Sequence, residues 1–214
     1  MIYDNLPITG NPLFDSCTAC GTFAPDTNFK RDGDAFICHK CGHRKVILLS
    51  DLFVIFGPSG SGKNSLWNHI LVRPEKPDVV YLNSDILWGQ HEHMDDYVNY
   101  WMYICANIAQ SGRPVAHFAG TEPSEFERAG SRDLFKQVHY LGLNCSEIEL
   151  ERRLTSRPRS RKSSQPPYIA EMQKWNKSIR ARAGSNRALE SRESFRTLET
   201  TGKSLDETCL EFIQ

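Results

Sequence analysis

The chain has 214 residues, 39% of them hydrophobic, which is length for one ordinary domain plus a small module and enough apolar content to bury a core. Its 26 Lys and Arg balance 26 Asp and Glu, so global attraction to nucleic acid or membrane is excluded as the organising feature. No run of about 18 apolar residues occurs, and MIYDNLPITG has neither a basic nor an apolar leader character, so a soluble, cytoplasmic protein with no membrane partner is expected.

The first pattern along the chain is C-x2-C-x17-C-x2-C, formed by Cys17, Cys20, Cys38 and Cys41, with Gly21 and Gly42 after the two pairs. Two tight turns of this kind donate four thiolates, a tetrahedral set suited to Zn²⁺ at the spacing of zinc ribbons. A closed four-cysteine site keeps no open coordination position, so the zinc is expected to be structural. Cys105, Cys145 and Cys209 stand alone in partly apolar contexts, and the total is too low for a secreted disulfide scaffold. His39 and His43 are expected to be exposed bystanders. Phe23, Phe29, Lys30, Arg31 and Phe36 make either a small core stapled by zinc or a surface that stacks on nucleic acid, and the core has the larger weight.

Next comes DLFVIFG, Asp51 to Gly57, a short β-rich run that leads directly into GPSGSGK. Gly57, Pro58, Ser59, Gly60, Ser61, Gly62 and Lys63 fit G-x-x-x-x-G-K, placed between a buried strand and a helix-competent segment. In such a loop the glycines let main-chain amides wrap phosphates, and the lysine reaches the β- and γ-phosphates. Asn64 stands where a Ser or Thr hydroxyl normally holds Mg²⁺, with Ser65 following. An amide oxygen can bind a hard cation, and magnesium also tolerates water-mediated ligands.

Further strands are expected at Asp78 to Asn83, Pro114 to Gly120, Gln137 to Leu143 and Phe195 to Thr200, with a helix over about residues 95–110. Ser146 with Glu149, and Ser204 with Glu207, fit capping boxes that start helices near 147 and 205. Alternating strands and helices imply an α/β domain whose parallel sheet is covered on both faces. Asp85 follows the second strand at the carboxyl edge of the sheet, where it either acts as a base or caps the next helix. No acid ends the PVAHFAG strand, and Glu122 is the nearest. The cluster Tyr97 to Tyr103, with Trp88 before it, lines a planar pocket or belongs to the core, with core favoured. His91, Glu92 and His93 lack the i, i+4 histidine spacing of a helical metal site. From Glu151 to Arg187 there are eleven Lys and Arg against two acidic residues. Within that stretch Arg153 and Arg157 would share a face if helical, and Arg159 and Arg161 fall in a Pro/Ser-rich tip.

The loop GPSGSGK, the strand end NSD at Asp85, the segment ERRLTSRPRSR and the terminal TLETTGKSLDET together resemble the P-loop kinases of small molecules. That group includes nucleoside and nucleotide kinases, with gluconate-type kinases and antibiotic phosphotransferases as relatives, and the resemblance covers roughly residues 48–214. It implies a P-loop NTPase three-layer α/β sandwich at 47–214, with a lid at about 153–168, and the cysteine spacing places a zinc ribbon at 1–46 before it. It also implies ATP with Mg²⁺, and a small-molecule acceptor such as a nucleoside or nucleotide. Lys63, Asp85, Arg153 and Arg157 are then the catalytic set, the loop from Gly57 to Ser65 binds the phosphates, and Thr201 and Gly202 flank the adenine. Ribose bisphosphate phosphokinases of the guanylate kinase group have a similar loop with an acidic residue at the Asn64 position, so a non-hydroxyl residue there need not abolish activity. Two other functions fit the sequence: a nucleic-acid-binding or end-modifying protein that uses the ribbon and the basic segment, and a non-catalytic nucleotide sensor.

Overall fold

Two separate sheets form in the computed structural model, which describes residues 17, 19–22, 29–32, 35–46, 50–73, 76–87, 93–109, 111–129, 132, 135–158, 162–182 and 193–213. Phe23, Trp88, His91, Glu92, Arg159 and Arg161 lie outside the described residues, as do the side chains of Phe29, Lys30, Arg31 and Phe36.

The first sheet is a three-stranded antiparallel meander of β1 (Phe29–Asp32), β2 (Ala35–Cys38) and β3 (Arg44–Val46). Its second turn is the Cys38-to-Cys41 knuckle. There the Gly42 amide donates to Cys38 O and the Cys38 amide to His43 O, and Cys17 with Gly21 and Thr22 repeats the arrangement. Both glycines have positive φ, the left-handed conformation that such a knuckle requires.

The second sheet has five parallel strands in the order β5-β6-β4-β7-β8: β4 (Leu52–Phe56), β5 (Val80–Asn83), β6 (Val115–Phe118), β7 (Val138–Asn144) and β8 (Glu193–Glu199). The helices joining them are α1 (Lys63–Val72), α2 (Met94–Ala109), α3 (Pro123–Glu127), α4 (Glu147–Thr155), α5 (Pro166–Arg182) and α6 (Leu205–Phe212). Alternation along β4 shows how the layers form, because successive side chains of a strand point to opposite faces. Leu52, Val54 and Phe56 pack against Trp101, Met102 and Cys105 of α2 and Ile179 of α5, whereas Ile55 packs against Leu66 and Ile70 of α1 and Cys209 of α6. The result is the expected three-layer α/β sandwich.

The aromatic helix divides between core and surface. Tyr97 and Trp101 are buried, while Tyr100 and Tyr103 face outward. Tyr97 also donates to Ser84 O (2.7 Å), and the Ser84 hydroxyl to Phe118 O (3.1 Å), which pins the end of β5 to β6. His117, enclosed by Trp101 and Phe126, is pushed by burial down to about 3 and is a neutral core side chain.

The two predicted helix starts differ. At α6 the box is complete: Ser204 Oγ accepts from the Glu207 amide, and the Glu207 carboxylate accepts from the Ser204 amide. At α4 only Ser146 caps, because the Glu149 carboxylate is taken by Arg152 and Arg153, whose charge-assisted bonds outcompete a neutral amide.

Candidate functional site

The loop after β4 is shaped by sterics. A Cβ on Gly57 would sit 2.3 Å from Leu143 O, so no other residue fits where the chain leaves the sheet. Gly62 then takes the left-handed conformation as the N-cap of α1, with no side-chain cap and no acidic residue in the helix's first turn. The early amides of α1 are therefore left to an external acceptor, and the helix dipole favours that acceptor being an anion.

Lys63 opens the helix with its ammonium folded back on the loop, donating to Gly57 O and to Pro58 O (3.2 Å). It also lies 5.9 Å from the centre of the Trp175 ring. Burial lowers its pKa to about 8, partly offset by Asp85 and reinforced by Arg157. Asp85 sits in the short 3-10 turn Ser84–Leu87 just beyond β5, and its amide is held by Asn83 Oδ1 (3.0 Å). Its carboxylate does not cap a helix; Oδ2 accepts from Asn64 Nδ2 (3.2 Å). An amide oxygen would be repelled by an ionised carboxylate, so the nitrogen must face Asp85 and Asn64 Oδ1 is left available to a cation.

The arginines reach the loop by two routes. Arg153, on α4, donates to Glu149 (2.7 Å), Gly60 O (3.1 Å), and both Thr200 Oγ1 and Thr200 O (3.1 Å each). Thr200 in turn donates to Ser61 O (3.0 Å), so the loop and the end of β8 are tied together. Glu149 is held down to about 2 by its bonds to Arg152 and Arg153. The helical face expected for Arg153 with Arg157 does not exist, because α4 ends at Thr155 with Ser156 as its C-cap. Arg157 instead lies beyond the helix and donates to Ser59 Oγ (2.8 Å), while the Ser59 amide donates to Met172 Sδ (3.3 Å) on α5. Beyond β8, Thr201 turns its hydroxyl to the Ser146 amide (2.6 Å) and to Glu199, and Gly202 completes the turn at φ 67°. Thr200 and Lys203 are the residues of this turn that line the cleft.

Lys63, Asp85, Arg153, Arg157 and Thr200 border one cleft of about 1670 Å³ at the carboxyl ends of the strands, the place where open α/β sheets bind ligands. Asn64, Ser65 and Asp85, singled out in the sequence, are among its lining residues. Trp175 and Met172 on α5, and Thr121 with Glu125 after β6, line it without having been predicted. No local motif marks those four; only tertiary packing brings them to the loop.

The four paired cysteines also converge. Their Sγ atoms all lie within 4.8 Å of one another, with Cys17 to Cys41 at 3.6 Å and Cys20 to Cys38 at 3.8 Å. A tetrahedron with metal–sulfur bonds of about 2.3 Å has edges of about 3.8 Å, so the set fits a soft cation such as zinc. Thr22 bonds Cys20 through its hydroxyl (3.1 Å) and its backbone, which favours the thiolate form at Cys20, while desolvation and the neighbouring thiols push Cys41 the other way. His39 and His43 are exposed and outside the thiol set. Among the described residues no helix is long and apolar enough to cross a membrane.

No protein-family profile and no curated protein matches the chain. Solved structures do. An unliganded sugar kinase from Janibacter sp. HTCC2649 is 13% identical over 77% of this chain and 92% of its own, with a TM-score of 0.54. A gluconokinase from Sinorhizobium meliloti 1021 is 19% identical over 77% of this chain and 90% of its own, with a TM-score of 0.48. A shikimate kinase from Acinetobacter baumannii in complex with shikimate is 16% identical over 78% of this chain and 92% of its own, also at 0.48. The first of these gives the chain the fold of the P-loop kinases.

Proposed function

We propose that this chain, built on the fold of the P-loop kinases, transfers the γ-phosphate of ATP to a hydroxyl or phosphate group of a small molecule. The observation that carries the reading is the start of α1: uncapped amides, no acidic residue in the first turn, and a lysine ammonium held in the loop beside them. The loop amides from Gly57 to Ser65 bind the phosphates and Lys63 neutralises the β- and γ-oxygens. Asn64 Oδ1, turned outward by the contact of its amide nitrogen with Asp85, is the group positioned to hold Mg²⁺, directly or through water, and that ion would supply charge neutralisation between the phosphates. Asp85 orients or deprotonates the acceptor, and Arg153 and Arg157 stabilise charge on the transferring group. Thr201 and Gly202 form the turn on the base side. The lid is read as residues 153–168, within a kinase domain of 47–214 that follows a zinc ribbon of 1–46.

Incubation of wild-type protein with γ-labelled ATP and a panel of nucleosides, nucleotides, sugars and nucleic-acid ends is expected to label a small molecule. Absence of any calorimetric signal with ATP or GTP on folded, metal-loaded protein would refute the reading. The pairing of Arg152 and Arg153 with Glu149 weighs against a nucleic-acid surface on α4, since those charges are already engaged. For the thiol set, a strong chelator is expected to release zinc and to erase amide protection in β1, β2 and β3 while ATP affinity stays the same. Parallel loss of ATP binding would show that the two sheets depend on one another.

A further inference from the structure

We infer that the cleft wall formed at the ends of β5 and β6 is an acceptor subsite built to receive hydrogen-bond donors. It suits an uncharged or amino-substituted polyhydroxy molecule, of sugar or cyclitol type, and disfavours hydroxy acids. This rests on the kinase reading of the same cleft and names its substrate class.

The two strands are neighbours in register, with Asn83 opposite Phe118, so the residues just beyond them emerge side by side. Asp85 follows β5, Thr121 and Glu122 follow β6, and Glu125 comes one turn later on α3; all four line the cleft with Lys63. Each offers acceptor capacity that the fold leaves unspent. Thr121 is 5% exposed and its hydroxyl has no hydrogen-bond partner. One oxygen of Glu125 is likewise buried and unpartnered, while the other faces Arg128 at 3.8 Å. Glu122 occupies the N-cap position of α3, yet its side chain caps nothing. Asp85 receives the amide of Asn64 on Oδ2.

Of these, the Thr121 hydroxyl and one Glu125 oxygen are buried, and buried acceptors without donors are costly unless a ligand supplies the hydrogens, while Asp85 and Glu122 are exposed beside them. A metal ion is a poor candidate for that role. Among the described residues the four thiols are the one group of three or more ligating side chains close enough to share an ion, so the three carboxylates are spread for separate donors. An acidic substituent placed on this wall would meet three carboxylates, because Lys63 is folded back on the loop carbonyls, Arg128 is turned to Glu125, and Lys174 and Arg182, which also line the cleft, come from α5. In the transfer step, the acceptor hydroxyl nearest Asp85 forms its bond to the γ-phosphorus as the bond to the ADP oxygen breaks. The electron pair leaves with ADP, and the hydroxyl proton passes to Asp85.

The test uses matched probes: glucose, glucosamine and myo-inositol against gluconate, glucuronate and quinate, with γ-labelled ATP and the full chain, and ATP binding measured in parallel by calorimetry. At least one neutral or amino probe is expected to be phosphorylated with a kcat/KM at least about tenfold above that of every acid probe. Thr121→Val should lower kcat/KM for that probe about tenfold through its KM, and Glu122→Gln and Glu125→Gln should narrow the preference over the acids by a similar factor. Preference for an acid overturns the inference. So does transfer to none of the six by protein that binds ATP, or an unaltered preference in glutamine variants that melt like wild type. Failure to bind ATP would instead remove the kinase reading, and this inference with it.

Discussion

Lys63→Ala is expected to lower phosphoryl transfer by at least about 10³-fold, because it removes the one side-chain cation placed inside the phosphate-binding loop, and such donors to transferring charge carry factors of this size. Its ammonium bonds the loop's own carbonyls at Gly57 and Pro58 and is desolvated there, with its pKa lowered to about 8 from 10.5. A triphosphate would favour the charged form. ATP binding near and above pH 8 should therefore take up a proton, visible as a dependence of the calorimetric heat on the buffer's ionisation enthalpy, and affinity should weaken as pH rises further. Lys63→Met should bind more weakly and show neither effect. The same shift has a consequence for folding. Between about pH 8 and 10.5 the unfolded chain binds more protons at this position than the folded one, so wild-type stability should rise across that window relative to Lys63→Met, and the cost of the buried charge should be fully present below it. Melting curves of the two proteins against pH measure the difference, and full transfer activity in Lys63→Ala would take the loop out of the chemistry.

The parts of this molecule that could be read from sequence are those whose causes are local. The glycines of GPSGSGK need a turn that only glycine can make, and Gly57 is pressed against Leu143 O while Gly62 lies in the left-handed region. The paired cysteines needed only their spacing, and their sulfurs converge on a tetrahedral separation. The alternation of β4 between two helical layers follows from a buried strand of mixed apolar residues. What sequence spacing could not give is competition between partners. Ser146 and Glu149 spelled a capping box, but Arg152 and Arg153 were near enough to claim the glutamate. Arg153 and Arg157 were four apart, but the helix ended between them, and the chain turned Arg157 onto Ser59 instead. Likewise nothing near Met172 or Trp175 marks them as neighbours of the phosphate loop, because their position depends on how α5 packs across the end of the sheet.

Asp85→Asn is expected to reduce kcat by about 10² to 10⁴-fold, the usual contribution of a positioned general base, with little change in the KM for ATP. The substitution is informative because it separates the negative charge from the geometry. An asparagine at 85 can still accept the Asn64 amide through its own oxygen, so Asn64 Oδ1 keeps facing the cation position. Asp85→Ala removes both, and releases the Asn64 side chain to turn. The two variants should therefore share the loss in kcat, while only Asp85→Ala should also need more Mg²⁺ for half-maximal ADP binding, measured by calorimetry over a magnesium series. Asn64→Ala should show the magnesium effect in isolation. Combined with Asp85→Ala it should add nothing further, since a pair acting as one unit is lost when either member is removed. An additive result would mean that the 3.2 Å contact between these two residues does not orient the amide, and normal turnover by Asp85→Asn would mean that the proton leaves by another route.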